Sequence, residues 1–558
     1  MPDPAALLET ARGHHRAGRL DVAVRLYRRL CEAPETAGTA SFLLGLALLE
    51  TGDYRGAAGV LETALESSPD DDQRRFHLAL ALEGCGDKAR AQHELQTLLG
   101  RVPDHAGALL ALGRVILANG DPAEAEAVCR RLLAVEPDSI PAHLILGEAL
   151  QAQQRRQEAL AVLEAARVVA PDDPEVLLAT GQVGEDLECL AVAEECFSRL
   201  LDLDPAHLLA RVGLANLAHY RHRFADAEAH LSRALETAGN LPGLHNDMGT
   251  ELFAQGRHEE AEGHWRRAME LAPDDPVAHS NLIMGLQHMP GQDQASLLAE
   301  GRAWHARHAA AVARPPWRPA DPDPERRLRV ALLSRAFRCS PVGFLALRGL
   351  EHLDPGGFEL VGVDLGGVVD ERTHRFQAVC AEWARLDQPS PAAVAERIEQ
   401  AGCDILLDFT GHAAGNQMLA VARRPAPVQV KWVGGQWGST GMDGMDWFLT
   451  DRVSTPPGEE QWYSERLWHL PDGYVCFDPL VDAPDYRRVP PMAGNGHVTF
   501  GSFNKLSKIT DPTLDIWAAV LRAVPGSRLL IKTFGLEDET VCEHLWARFA
   551  ARGSERRA

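Results

Sequence analysis

In the first half of the chain, apolar positions recur with the spacing of amphipathic helices, and the helices themselves recur every 34 residues. The segment AGALLALGRVILANGDPAEAEAVCRRLLAVEPDS reads as one such unit of two helices. Alanine stands at Ala23, Ala57, Ala91, Ala125, Ala159, Ala193, Ala227 and Ala261. Twelve residues before each comes a second small residue: Ala11, Gly45, Ala79, Gly113, Gly147, Gly181, Ala215 and Gly249. A third column reads Pro69, Pro103, Pro137, Pro171, Pro205, Gly239 and Pro273. The small residues predict close helix crossings, where a larger side chain would force the backbones apart. Pairs such as Gly120-Asp121 and Gly256-Arg257 suit the turn inside each unit. The prolines suit the end of each second helix, since proline has no amide proton and clashes with the preceding turn.

This period and pattern resemble the tetratricopeptide repeat over about residues 5–275, in about eight units, with 276–313 expected to cap the array. Such a solenoid implies a long concave surface for peptides or protein partners. Scattered histidines such as His14 and His15 have no repeated ligand spacing and read as surface or interhelix residues. Residues 314–327, RPPWRPADPDPERR, have the proline and charge of a linker.

Beyond the linker the pattern changes to short apolar runs separated by helical stretches. The runs at 328–334, 358–365, 403–409, 428–433 and 446–451 predict strands, and 391–402 predicts a helix between two of them. Alternation of this kind means a parallel α/β sheet. Residues 328–470 read as one Rossmann-like domain, in a lobe extending to about 490. A second α/β unit begins near His497, with strands in VTFGSFN and RLLIKTFG. The helix between them has Thr510 or Asp511 as its cap and Pro512 in its first turn. The fold class expected is therefore an all-α repeat solenoid followed by α/β nucleotide-fold lobes, the second, 497–558, only partial.

At 558 residues the chain has room for about three to four domains, fewer if one is a repeat array. Hydrophobic residues at 45% and charged residues at 24% argue against a mainly disordered chain. No apolar run approaches the ~20 residues of a membrane helix, and the start lacks the pattern of a secretory signal. A net charge of -23 makes a poor general binder of nucleic acid, though it leaves room for a local basic pocket holding a small phosphorylated ligand. The ten cysteines include no Cys-x-x-Cys pair, which suggests neither a disulfide framework nor a zinc site. A reducing, cytoplasmic location is expected.

Two longer stretches carry a further resemblance: DILLDFTGHAAGNQMLAVARRPAPVQVKWVGGQWGSTGMDGMDWFLTDR and VTFGSFNKLSKITDPTLDIWAAVLRAVPGSRLLIKT. With the repeats before them, and with LPDGYVC, they resemble the protein O-GlcNAc transferases, glycosyltransferase family 41, bacterial members above all. The resemblance implies a GT-B architecture of two Rossmann-like lobes with a UDP-sugar in the cleft, UDP-GlcNAc being the expected donor. It implies transfer to Ser or Thr hydroxyls with inversion and without a metal ion or other cofactor. Without a metal, a lysine and a helix N-terminus can stabilise the departing diphosphate. Lys508 matches the family lysine that contacts that diphosphate, and Lys532, after the next strand, is a second basic candidate. Asn504 and Lys505 fall near the expected nucleotide, Lys505 where relatives often carry Asn or Gln.

His412 follows the strand at 403–409, where ligands of open α/β sheets bind. A histidine there suits a hydrogen bond to a sugar or the movement of a proton, or is simply a loop histidine held by backbone. Gly434, Gly435, Gly438 and Gly441 match a family loop lining the active site, although glycines there also suit an ordinary turn. The loosely spaced Asp443 and Asp446 are not expected to hold a metal.

The chain departs from the family pattern in three ways. Where relatives usually read Ser-x-Asp-(Phe/Leu)-x-x-His-Pro-Val, this chain has Ala336 at the aspartate position and Ser340 at the histidine position. Serine cannot replace an imidazole as acid or base near neutral pH. Secondly, about 170 further residues of the family's second lobe are not in the sequence. The final SERRA does not continue the family pattern, as a frameshift or premature stop would leave it, and the DNA just downstream would decide. Thirdly, the column matching the asparagine ladder of animal enzymes reads Leu43, His77, Ala111, Ile145, Ala179, Gly213, Asp247 and Asn281. The expectation is a sugar transferase by descent, weak or inactive as the chain stands. The alternative is a repeat scaffold for protein partners with a vestigial catalytic domain.

Overall fold

A computed structural model describes residues 3–315, 317, 321, 323, 325–435, 438–479 and 489–554. Part of the expected linker (316, 318–320, 322 and 324), residues 436–437 of the glycine-rich loop, residues 480–488 and the tail 555–558 lie outside the described residues.

From Pro4–Arg16 to His258–Leu271 the chain forms antiparallel helix pairs, followed by Pro276–Leu286 and Gln294–Trp304. All eight alanines of the first column are fully buried. The second column packs against a residue sixteen positions later. A methyl group on Gly181 would lie 2.5 Å from the Phe197 ring, and one on Gly249 would lie 2.6 Å from Trp265. The small residue thus makes space for the large one, and each pair of helices locks at its crossing. Several second helices stop two residues short of their proline, as at Val135 before Pro137 and Leu203 before Pro205.

The chain falls into two compact units, Met1–Leu217 and Ala218–Ala558. The boundary lies inside the repeat array and not in the linker, because the last repeats pack with the α/β part. In the first unit the buried alanines and leucines of successive helices, from Ala11 to Ala149, form a continuous core.

In the second unit, seven strands form one parallel sheet: β1 (Leu328–Ser334), β2 (Phe358–Asp364), β3 (Glu382–Arg385), β4 (Ile405–Asp408), β5 (Val428–Lys431), β6 (Trp447–Asp451) and β7 (Arg466–Leu470). Their order is β3-β2-β1-β4-β5-β6-β7. The register sets Val330 beside both Leu360 and Ile405. β3 and β7, at the two edges, were not among the strands expected from the apolar runs.

A second sheet holds two parallel strands, β8 (Thr499–Ser502) and β9 (Arg528–Ile531). The helices Asp511–Ala523 and Glu539–Ala550 accompany it, with a core of Leu506, Ile509, Leu514, Val541, Leu545 and Phe549. Thr510 is the N-cap of the first of these helices, but its side chain makes no capping hydrogen bond.

Candidate functional site

The strand order reverses between β1 and β4, which leaves a crevice beyond their carboxyl ends, where open α/β sheets bind ligands. Three loops border it, after β1, β4 and β5. Asp408, buried at the end of β4, shapes the second loop by accepting from Thr410 N at 3.1 Å and from Gly411 N at 2.7 Å. Gly411 has φ +58°, and a Cβ there would lie 2.7 Å from Lys431 Cε.

Lys431 ends β5 and is fully buried. Its ammonium donates to the carbonyls of Val433 and Gly434. These carbonyls belong to a run of three left-handed residues: Val433 at φ 53°, Gly434 at 47° and Gly435 at 65°. Glycine takes that conformation without strain, whereas a β-branched residue does not. A side chain on Gly434 would collide with the Phe409 carbonyl, so the turn is pressed onto the end of β4.

The far limb of this loop is held by Glu465, also buried. Its carboxylate accepts from Ser439 Oγ at 2.7 Å, from Thr440 N at 2.8 Å and from Thr440 Oγ1. Gly441 meets Gly301 of the helix Gln294–Trp304 backbone to backbone. Sequence reasoning named the glycines but missed Lys431 and Glu465. The available signal for the lysine was a charged residue inside the apolar run VQVKWV of a central strand.

His412 lies on the β4 loop, 4% exposed. Its Nε2–H donates to the Thr440 carbonyl at 2.9 Å, and its ring meets Trp304 edge-on at 5.0 Å. Nδ1 is buried without a hydrogen-bond partner. Burial pushes the imidazole down to about 4, so the ring is neutral at ordinary pH. The histidine named for sugar contact or proton movement is thus set inside the fold, between the glycine loop and the helix capping the repeats.

Asp446 accepts from Arg424 at 2.6 Å and from Gln429 N at 2.8 Å, whereas Asp443 lies 3.2 Å from His305. The two aspartates therefore have separate partners. Among the described residues, no three His, Cys, Asp or Glu side chains are grouped to hold a metal ion. Ser340 caps the helix Pro341–Leu350, accepting from Gly343 N at 3.2 Å and donating to the Ala336 carbonyl at 2.8 Å. Its hydroxyl is thereby committed to the fold.

Lys505 precedes and Lys508 ends the short turn Leu506–Lys508 that leads from β8 to the helix Asp511–Ala523. Leu506 and Ile509 bury themselves as anchors, and the Ser507 carbonyl accepts from His258 Nε2 at 2.7 Å. The lysines are left exposed. Asn504 donates to Ser502 Oγ at 3.4 Å, and Lys532 N donates to the Ser502 carbonyl at 3.0 Å. Asn504, Lys505 and Lys532 therefore gather at the carboxyl end of the β8–β9 pair.

The helix Pro276–Leu286, which follows the repeats, borders the glycine loop. Met284 Sδ lies 3.9 Å from where a Gly435 side chain would begin. His288, one turn on, is held below its ordinary pKa by burial first, then by the cations of Lys508 and Lys505. Met284 thus borders the glycine loop, while the lysine turn packs against the preceding helix pair, where a Cβ on Gly256 would lie 3.0 Å from the Leu506 carbonyl. Asn281, on the same helix, is engaged with Asn246 at 2.8 Å.

With this geometry in view, comparison with known proteins defines the class. The family description "Glycosyl transferase family 41" matches residues 322–481, and tetratricopeptide repeat descriptions match 116–183 and, among others, 8–72 and 186–242. A solved structure of a lysine-to-methionine mutant of the Thermobaculum terrenum O-GlcNAc transferase superposes with a TM-score of 0.65 at 31% identity. It covers 68% of this chain and 72% of its own. The chain belongs to glycosyl transferase family 41, with tetratricopeptide repeats before a GT-B-type catalytic region.

Among individual proteins it is similar to the probable UDP-N-acetylglucosamine–peptide N-acetylglucosaminyltransferase SPINDLY of Arabidopsis thaliana. That match is 36% identical over 214 residues, 38% of this chain and 23% of the relative. The enzyme of the same description called SEC, also from Arabidopsis thaliana, is 28% identical over 221 residues, 38% of this chain and 22% of the relative. The chain thus spans under a quarter of the length of these plant relatives.

Proposed function

We propose that this chain transfers N-acetylglucosamine from UDP-GlcNAc to Ser or Thr hydroxyls of proteins, with inversion and without a resident metal ion or cofactor. The observation that carries the reading is that one stretch of helices borders both the Gly434–Gly435 loop, through Met284, and the Lys508 turn, through Gly256 and His258. In this reading Lys508 and the N-terminus of the helix Asp511–Ala523 stabilise the charge that builds on the departing diphosphate. Asn504, Lys505 and Lys532 serve the nucleotide, and the backbone at Gly434 and Gly435 approaches the sugar or the acceptor. An acceptor polypeptide runs along the repeats, without the amide ladder of animal enzymes. The choice of sugar rests on the names of the relatives, and a cytoplasmic location belongs to the same proposal. Among the described residues, no helix is long and apolar enough to cross a membrane.

His412, neutral and bonded to Thr440, acts in this proposal by orienting the glycine loop and not as the base. Inversion then proceeds by attack of the acceptor hydroxyl on the anomeric carbon as its bond to UDP breaks on the opposite face, the hydroxyl proton passing to the departing diphosphate or solvent, with charge stabilisation as the main contribution.

One observation favours a second reading. Ser340 is spent as a helix cap where relatives carry histidine, which suits a protein scaffold with a vestigial site. Calorimetry with UDP separates the two. Wild type is expected to bind UDP, and Lys508→Ala to bind about tenfold or more weakly, as expected for loss of a charge-assisted contact. No heat with wild type favours the scaffold, and equal binding by the variant removes Lys508 from the site. Incubation with UDP-GlcNAc and a Ser/Thr-rich acceptor protein then tests transfer itself.

A further inference from the structure

A fully buried ammonium in a central parallel strand needs a reason, because removing a charge from water is costly unless the charge is paired and bonded. Lys431 has hydrogen bonds and the favourable charge of nearby carboxylates. Its Nζ donates to the Val433 and Gly434 carbonyls. Two buried carboxylates favour its charged form: Asp408, its cross-strand neighbour on β4, and Glu465, just before β7. Among the described residues, His412 on the β4 loop, which is neutral, also interacts with it.

Each carboxylate shapes one of the loops that border the crevice. Asp408 binds the amides of residues 410 and 411, and Glu465 binds Ser439 and Thr440. The lysine closes the set by fixing the turn at 433–435. That turn contains a valine at positive φ, a conformation a β-branched residue adopts only when its surroundings enforce it.

We infer that Lys431 is the positioning residue of the catalytic crevice: its protonated side chain holds the left-handed turn 433–435 against the end of β4 and beside Met284, and so sets the backbone that approaches the reacting groups. The inference rests on the proposed transfer reaction for its catalytic consequence, but not for its structural one. It reaches the substrate only through the loop, so it is distinct from the donor-binding role proposed for Lys508.

The charge matters to the hold. A neutral amine keeps two N–H groups but loses the charge assistance that makes such bonds roughly twice as strong. It would also leave Asp408 and Glu465 buried near an uncharged group. Burial pushes Lys431 down to about 8, against the pull of the two carboxylates. The turn is therefore held firmly below that pH and loosens as pH rises through it.

Hydrogen–deuterium exchange of the full chain, read on peptides spanning 428–445, tests this without reference to activity. Amides flanking the turn in Lys431→Met are expected to exchange about tenfold faster than wild type at pH 7. Wild type itself is expected to gain the same excess exchange, corrected for the intrinsic pH effect, above about pH 8. The wild-type arm needs no variant, so a misfolded Lys431→Met leaves the test intact.

Unchanged exchange in a folded variant, or a wild-type loop equally protected at pH 7 and pH 9.5, overturns the inference. With UDP-GlcNAc and an acceptor protein, kcat is expected to fall about tenfold in Lys431→Met while UDP affinity stays within about twofold. The falling limb of the wild-type rate above pH 8 should vanish in the variant. If neither protein transfers sugar but the exchange pattern holds, the proposed reaction fails and the role of Lys431 in the loop stands.

Discussion

At the scale of single residues, the crevice is built by buried charges that act on backbone. Asp408, Lys431 and Glu465 all spend themselves on loop amides, carbonyls and hydroxyls. Ser340, though uncharged, is likewise spent on backbone, its hydroxyl consumed by a helix cap. Restoring the family pattern with Ala336→Asp and Ser340→His is expected to raise sugar transfer about tenfold or more, within the range of general acid–base catalysis. The same change should cost about 1 kcal/mol of stability through the lost cap. Initial rates and unfolding midpoints measured on one preparation check both; an unchanged rate would mean that the proton does not pass through position 340.

The glycines and Lys508 were legible as residues because motif spacing carries them. The bonds of His412 were not, since Trp304 lies 108 positions away in sequence and only the packed fold brings it to the ring. Lys431 was visible as an anomaly in an apolar strand, but what it bonds to follows from three consecutive positive φ angles that no composition reveals.

At the scale of elements, the central strands β1, β2, β4, β5 and β6 were legible because parallel strands covered on both faces are nearly continuous apolar runs. β3 and β7, EWAR and RLWHL, were not, because edge strands mix charge with aromatic rings and lack that signal. Arg466 lies over the Trp447 ring at 4.0 Å, so the charge in β7 is itself part of the packing.

The entry to β4 is tied down by Asp404, which accepts from the Arg326 guanidinium and from Arg329 N at 2.9 Å. The Arg326 hydrogen bond is the largest influence holding this carboxyl below its ordinary value. A carboxylate with a depressed folded-state pKa contributes stability above its unfolded value of 3.8, and loses it as pH falls through the folded value. Asp404→Asn is therefore expected to lower the unfolding midpoint at pH 7 and to flatten its decline below about pH 4. Thermal melts from pH 7 to pH 3 check the sign, and an equal deficit at every pH would refute it.

At the scale of the whole molecule, the 34-residue period reported a solenoid, and the switch to short apolar runs reported a sheet. The sequence did not reveal that the last repeats pack with the α/β region, so that the compact-unit boundary falls at Leu217. Helix periodicity describes each helix's own buried face and is silent about which neighbour covers it. Every residue assigned to the proposed site lies in the unit Ala218–Ala558. A chain beginning at Pro205, which keeps the helix Leu208–Tyr220 whole, is expected to bind UDP within about twofold of the full chain and to transfer more poorly to long acceptors, since solenoid repeats depend chiefly on their neighbours. Calorimetry and acceptor-length series test this, and loss of UDP binding in a folded fragment would show that the donor site needs the earlier repeats.

The helix carrying Met284 is the point at which modularity ends. A solenoid gains or loses a whole repeat with little effect elsewhere, because each unit answers only to its neighbours. This helix answers instead to a surface outside the solenoid, since its Met284 faces the Gly435 turn. One residue inserted early in Pro276–Leu286 would turn Met284 by about 100° and take it away from the glycine loop. Lineages of this architecture are thus free to lengthen or shorten their superhelix from the far end, while this one helix must keep its phase to the residue.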